Sequence, residues 1–169
     1  MSEDARDELR AAIDGLSDEE VRTLLSWLGV IGRADRQEPG EQSVGALGDL
    51  LGMVSEGREP GRCRMRLDVD AAWANPNGVL HGGVVYTLID YSMGGAVQPH
   101  LPEGDWCTSI EVKVSYLAAV REGALTVDTT VVKEGRNIAF LESKVTGEDG
   151  RLVATGSGSM FVFRGGGVS

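Results

Sequence analysis

The chain has 169 residues, enough for one domain with a substantial core. Its formal net charge of -10 argues against nucleic acid and against anionic membrane surfaces as partners, and no apolar run reaches the roughly 18 residues of a membrane span. Two histidines and two cysteines without ligand spacing exclude a His-rich metal site, and Cys63 and Cys107 read as free thiols.

The opening "MSEDARDELR" is acidic and polar, unlike a secretory leader, so a cytoplasmic protein is expected. Residues 4–15 are a short helix candidate. In "LSDEEVRTLLSWLGVIGR", Ser17 and Glu20 form a capping box. Val21, Leu24, Leu25, Leu28 and Ile31 fall at helical spacing, and Gly32 is the expected stop. "ADRQEPGEQ", 34–42, reads as a linker. Residues 1–42 are thus a helical extension, 43–164 the main domain and 165–169 a frayed tail. "SVGALGDLLGM" predicts a short helix with Leu47, Leu50 and Leu51 on one side.

Strands are expected next. Cys63, Met65, Leu67 and Val69 alternate with polar residues, the mark of a strand with one buried face. Ile110, Val112, Val114 and Tyr116 repeat that pattern against Glu111, Lys113 and Ser115. "LTVDTTVV", "NIAFLESKVT" and "RLVATGSGSMFVF" supply three more strands. The links "REG", "KEGR" and "EDG" read as hairpin turns of an antiparallel sheet. Residues 83–97 are too long for one strand and apolar nearly all round, which predicts a buried helix. The expected class is α+β, a curved antiparallel sheet wrapped around a central helix.

That helix carries one charge, Asp90, with Tyr86, Met93 and Val97 on its face. A buried acid is costly, and perturbed acids concentrate at functional sites. At the helix entrance, Gly82 and Gly83 offer unsatisfied backbone N–H groups that suit an oxyanion, with His81 and Asn75 on the approach. Eight residues of helix put Gly82 and Asp90 roughly 12 Å apart, too far to share one carbonyl within a chain. A two-fold dimer with antiparallel central helices would bring them together.

"NPNGVLHGGVVYTLID" resembles the signature of hotdog-fold acyl-CoA thioesterases of the PaaI-like, 4-hydroxybenzoyl-CoA thioesterase superfamily. "SIEVKVSYL" and "VVKEGRNIAF" match further on, and the likeness runs from about Leu47 to Phe163. The resemblance implies acyl-CoA hydrolysis without metal or redox cofactor, in a homodimer or a dimer of dimers with active sites at the interface. It implies Asp90 as general base or nucleophile and the Gly82 N–H as carbonyl polariser. Asn75 and His81 stand beside it as polar residues, and Ser109 or the adjacent Thr108 places the water. The family often reads "YLRPA" where this chain reads "YLAAV", so Ala118 replaces a basic residue, with Arg121 nearby. Arg136, then Lys133 with Gly135, are the expected contacts to the CoA phosphates, because an acidic protein needs local positive charge there. A hotdog dehydratase or hydratase, and a non-catalytic acyl-CoA binder, are the competing readings.

Overall fold

The computed structural model describes residues 3–34 and 44–165. Most of the expected linker and of the tail therefore lies outside the described residues. The elements run α1 (Glu3–Asp14), α2 (Asp18–Ala34), α3 (Ala46–Leu51), β1 (Met53–Glu59), β2 (Arg62–Asp68), α4 (Gly82–Val97), β3 (Trp106–Tyr116), β4 (Ala124–Glu134), β5 (Ile138–Gly147) and β6 (Leu152–Phe163). Short 3-10 turns flank α4, at Ala71–Trp73 and Gln98–His100. The strands form one antiparallel sheet in the order β1-β2-β4-β5-β6-β3, and α4 touches every one of them. This is the expected α+β layout of a curled sheet around a helix.

The capping box forms. The Ser17 backbone N–H donates to Glu20 Oε2 at 2.8 Å, and the Glu20 N–H donates back to Ser17 Oγ at 3.4 Å. Gly32 is not the stop, because α2 continues to Ala34. A single glycine costs a helix only about 1 kcal/mol and need not end it. Leu25 and Leu28 of the expected stripe are exposed, while Val21 and Leu24 are half-buried. In α3, Leu51 is buried and Leu50 half-buried, but Leu47 faces out, and Gly48 is the second buried position.

The core is built from α4 and the concave face of the sheet. Met65 and Leu67 of β2, Leu88, Ile89 and Met93 of α4, and Leu125 and Val127 of β4 are fully buried. Close approach is possible because glycines stand at the crossings. A side chain at Gly95 would lie 2.6 Å from Cys63 Sγ, one at Gly156 2.8 Å from Ile89, and one at Gly158 2.8 Å from Met93 Sδ. The buried hydroxyls of Ser92, Thr129 and Ser143 form a chain, each contact 2.7 Å long, linking α4 to β4 and β5. Pairing them satisfies groups whose burial would otherwise be costly.

Three strand expectations are corrected. β1 is a strand without a strand pattern, since only Met53 is buried and Glu56, Arg58 and Glu59 line its exposed outer end. "REG" is not a hairpin, because β3 pairs with β6 while β4 pairs with β2 and β5. Residues 117–123 instead cross the sheet, with Leu117 and Ala118 donating to the Val153 carbonyl. In β3 the register shifts between Ser109 and Glu111, leaving Ile110 unpaired. That β-bulge flips the alternation. Cys107 and Ser109 face inward before it, and Val112 and Val114 after it. Ile110 and Tyr116, expected inside, are 54% and 55% exposed. No helix among the described residues is long and apolar enough to cross a membrane.

Candidate active site

The bulge has a chemical consequence. It turns Ser109 toward α4, where its hydroxyl donates to Asp90 Oδ1 at 2.5 Å. Asp90 is half-buried rather than enclosed, since it opens into a cavity of about 460 Å³. Arg58, Gly94, Cys107, Thr108 and Ser109 share this lining with it. Met93 and Val97, expected as its dry neighbours, are turned into the core, and Tyr86 is 40% exposed. The helix is therefore not buried all round, because the face bearing Tyr86 and Asp90 stays open on the single chain. Thr108 is exposed at the cavity wall, and Ser109 is the hydroxyl that holds the carboxylate.

Cys107 lies beside the carboxylate. Its thiol is pushed above the ordinary cysteine value, first by burial and then by the negative charge of Asp90. Both cysteines are free, and the Cys63 thiol is also raised by burial, with Ser92 and Arg58 opposing.

His81, Gly82 and Asn75 gather at the N-terminal end of α4. His81 is the N-cap, and its Nδ1 accepts from the Gly83 N–H at 2.9 Å, so this nitrogen carries no proton. The expectation that both glycine N–H groups stand uncovered is corrected for Gly83. Only the Gly82 N–H lacks an acceptor among the described residues. Asn75 serves its own turn, its Oδ1 accepting from the N–H groups of Asn77 at 2.9 Å and Val79 at 3.3 Å. Arg121 also serves this turn, donating to the carbonyls of Asn77 and Gly78.

Sequence reasoning missed Tyr116 here. Its hydroxyl donates to the Gly82 carbonyl at 2.9 Å, and its ring lies against the Gly82 Cα. Beside it is an apolar cleft of about 340 Å³ lined by Gly82, Val85, Tyr116, Leu117 and Ala118, among others. Tyr116 keeps the phase of Val112 and Val114 but ends the strand over the exposed start of α4, and Arg58 lay in a strand that had no pattern. Lys133 near the end of β4, and Gly135 and Arg136 in the β4–β5 turn, lie outside the lining of either cavity. The Gly135 N–H closes that turn on the Ile138 carbonyl, and the Arg136 carbonyl accepts from the Arg164 guanidinium. One chain thus holds an acid with its hydroxyl midway along a helix and an open N–H donor at the start of that helix.

Residues 77–154, which contain both ends of this arrangement, match the thioesterase superfamily. A candidate esterase of Halobacterium salinarum is 36% identical over 126 residues, covering 68% of this chain and 83% of the relative. The chain belongs to the thioesterase superfamily. It is a hotdog-fold thioester hydrolase. Acyl-coenzyme A thioesterase 13 of Pongo abelii is 26% identical over 99 residues, covering 57% of this chain and 70% of that protein. The crystal structure of a Bacillus halodurans protein with CoA superposes with a TM-score of 0.71 at 27% identity, covering 93% of this chain and 99% of that one.

Proposed function

We propose that this thioester hydrolase acts on acyl-CoA, with Asp90 as the general base or nucleophile. The observation that carries the reading is the Ser109–Asp90 hydrogen bond at the wall of an open cavity. The bond occupies Oδ1, so Oδ2 is left to take a proton from water or to attack the carbonyl carbon. The carbonyl oxygen gains charge as the new C–O bond forms, and the C–S bond then breaks to release the CoA thiolate; where Oδ2 is the nucleophile, water then hydrolyses the acyl–Asp90 anhydride to the free acid and the Asp90 carboxylate. An oxyanion donor is needed, and the Gly82 N–H suits the role at a helix start.

Because Gly82 lies about 12 Å along α4 from Asp90, the donor comes from a second copy. The outer strand β3, with Ile110 and Tyr116 exposed, offers a long edge for such pairing. We therefore expect a homodimer or a dimer of dimers. The CoA phosphates fall to Arg136, Lys133 and Gly135 around the exposed β4–β5 turn. His81 and Asn75 shape the donor end, and the cap formed by His81 Nδ1 argues against the catalytic histidine of a dehydratase. Segment 43–164 is the catalytic domain in this reading, with 1–42 as an added helical extension and 165–169 as a tail. The two free thiols suit the reducing cytoplasm.

The test mixes an Asp90→Asn chain with a Gly82→Pro chain, since proline has no N–H to donate and is tolerated at a first helical position. Each parent should be inactive on acyl-CoA, and the mixture should regain part of the activity in sites built from both chains. An active monomer in sedimentation at assay concentration would refute the shared site.

A further inference from the structure

The Asp90 cavity holds a second charge. Arg58, at the end of β1, is the only cation in its lining, and Asp90 is the only carboxylate. The two do not pair with each other, and Arg58 makes no ion pair with any described residue. Arg10, Arg64, Arg66, Arg151 and Arg164 all meet carboxylates, as a net charge of -10 makes easy. The cation in the cavity is thus left open while these five arginines are ion-paired.

Its position is defined by the glycines of α4. A side chain at Gly95 would come within 3.6 Å of Arg58 Nε, so the guanidinium arm lies across the helix at that level. Gly95 is five residues beyond Asp90, roughly 7.5 Å along the axis. Gly94 and Gly95 leave bare helix backbone as the floor between the two charges, and Tyr91 and Met160 stand at its sides. The trough is therefore short, acidic where the reaction occurs and basic one and a half turns further on.

We propose that the trough receives an acyl group bearing a second, ionised carboxylate, and that Arg58 selects it. The proposal rests on Asp90 being the reacting end. An acyl carboxylate near Asp90 alone would be repelled, whereas a guanidinium at the far end offers it a charge-assisted hydrogen bond. A neutral acyl chain would cover Arg58 without pairing it, which penalises binding. The preferred substrates are mono-thioesters of short dicarboxylic acids. A guanidinium also suits a phosphate, so the test must separate the acyl carboxylate from the CoA phosphates.

The experiment compares adipyl-CoA with hexanoyl-CoA, equal in carbon count and differing in the terminal carboxylate, and repeats both as pantetheine thioesters that lack the nucleotide. Wild-type protein should favour the adipyl thioester in kcat/KM by about tenfold or more, the scale of a hydrogen bond to a charged group. Arg58→Gln should abolish that preference by lowering the adipyl value while the hexanoyl value holds or rises, on CoA and on pantetheine alike. Equal turnover of the two by wild type overturns the proposal. So does an Arg58→Gln defect that strikes both acyl groups on CoA and vanishes on pantetheine, since the anion is then a nucleotide phosphate. Calorimetric binding to the Asp90→Asn protein separates the two readings. A retained adipyl preference there, with hydrolysis undiminished, removes Asp90 from the mechanism and leaves Arg58 its ligand.

Discussion

The Tyr116 hydroxyl at the end of β3 donates to the carbonyl of Gly82, the first residue of α4, at 2.9 Å. The next atom of the same peptide unit, the Gly83 N–H, is held by His81 Nδ1 at 2.9 Å. The Gly82–Gly83 peptide is therefore fixed at both of its polar atoms. Because the helix cannot twist at its first turn, the neighbouring Gly82 N–H keeps one direction, and such preorganisation is what an oxyanion donor requires.

Tyr116→Phe should consequently keep the fold, lose about 1 kcal/mol of stability, and lower kcat with little change in KM. His81→Ala should cost about 1 kcal/mol through the lost cap and lower kcat as well. The double variant should fall short of the product of the two losses, because both bonds hold one peptide. Steady-state kinetics on the four proteins checks this, with thermal melting as the folding control. Independent, multiplicative effects on kcat would show that the two bonds do not act on one element.

Gly94 and Gly95 adjoin in α4 and should respond in opposite ways to alanine. A methyl at Gly95 meets Cys63 Sγ at 2.6 Å, so helix and sheet must part, at about 1–3 kcal/mol. A methyl at Gly94 finds only Met160 Cε, at 3.9 Å, and should gain up to about 1 kcal/mol from helix propensity. Urea unfolding of both variants reads the difference directly. Adding Cys63→Ala to Gly95→Ala should restore part of the loss. Its failure to do so would mean that the thiol is not the obstacle.

Much of this fold could be read before any coordinates, and the failures have physical causes. Arg62–Asp68 alternates strictly, and its apolar side is buried residue by residue. The 83–97 segment was legible by length and apolar content, and Asp90 by being its one acid. β1 carried no period because its outward residues outnumber its inward ones. The bulge at Ile110 left no trace in the pattern, so Ile110 was placed on the wrong face. Strand order was also beyond reach, since a glycine-bearing link between strands does not say whether they pair. Within the site, Arg58, Asp90 and Cys107 come together only through the fold, and no local motif unites them.

The buried hydroxyl chain makes a further prediction. Ser92 Oγ donates to Thr129 Oγ1, which shares a bond with Ser143 Oγ. Ser92→Ala removes one link but leaves Thr129 still paired with Ser143, so the loss should be near 1 kcal/mol. Thr129→Val strands Ser143 and leaves Ser92 only its longer contact to the Cys63 carbonyl at 3.4 Å, and should cost about 2 kcal/mol. Guanidinium unfolding ranks the two. Equal losses would mean that water or a rearranged rotamer serves the stranded groups.

The two thiols report on Asp90 without any substrate. Both hold their protons more tightly in the folded protein than in the unfolded chain, chiefly through burial. Their contribution to stability is then complete below the ordinary thiol value and is lost as pH rises through the folded values. The melting temperature should therefore decline from about pH 8.5 upward, and more shallowly in Cys63→Ala. Cys107 carries the added influence of the Asp90 carboxylate, which disfavours a second negative charge beside it. Replacing Asp90 by Asn keeps the shape and removes that charge. The Cys107 thiolate fraction should rise, and alkylation by iodoacetamide at pH 8 should quicken severalfold, since the thiolate is the reacting form. Cys63, whose thiol is governed by burial, Ser92 and Arg58, should react at its former slow rate and serves as the internal control. Peptide mapping by mass spectrometry after timed alkylation distinguishes the two sites. If Cys107 reacts equally fast in both proteins while the melting temperature is unchanged, the carboxylate does not face the thiol in solution, and the Asp90 cavity must be redrawn.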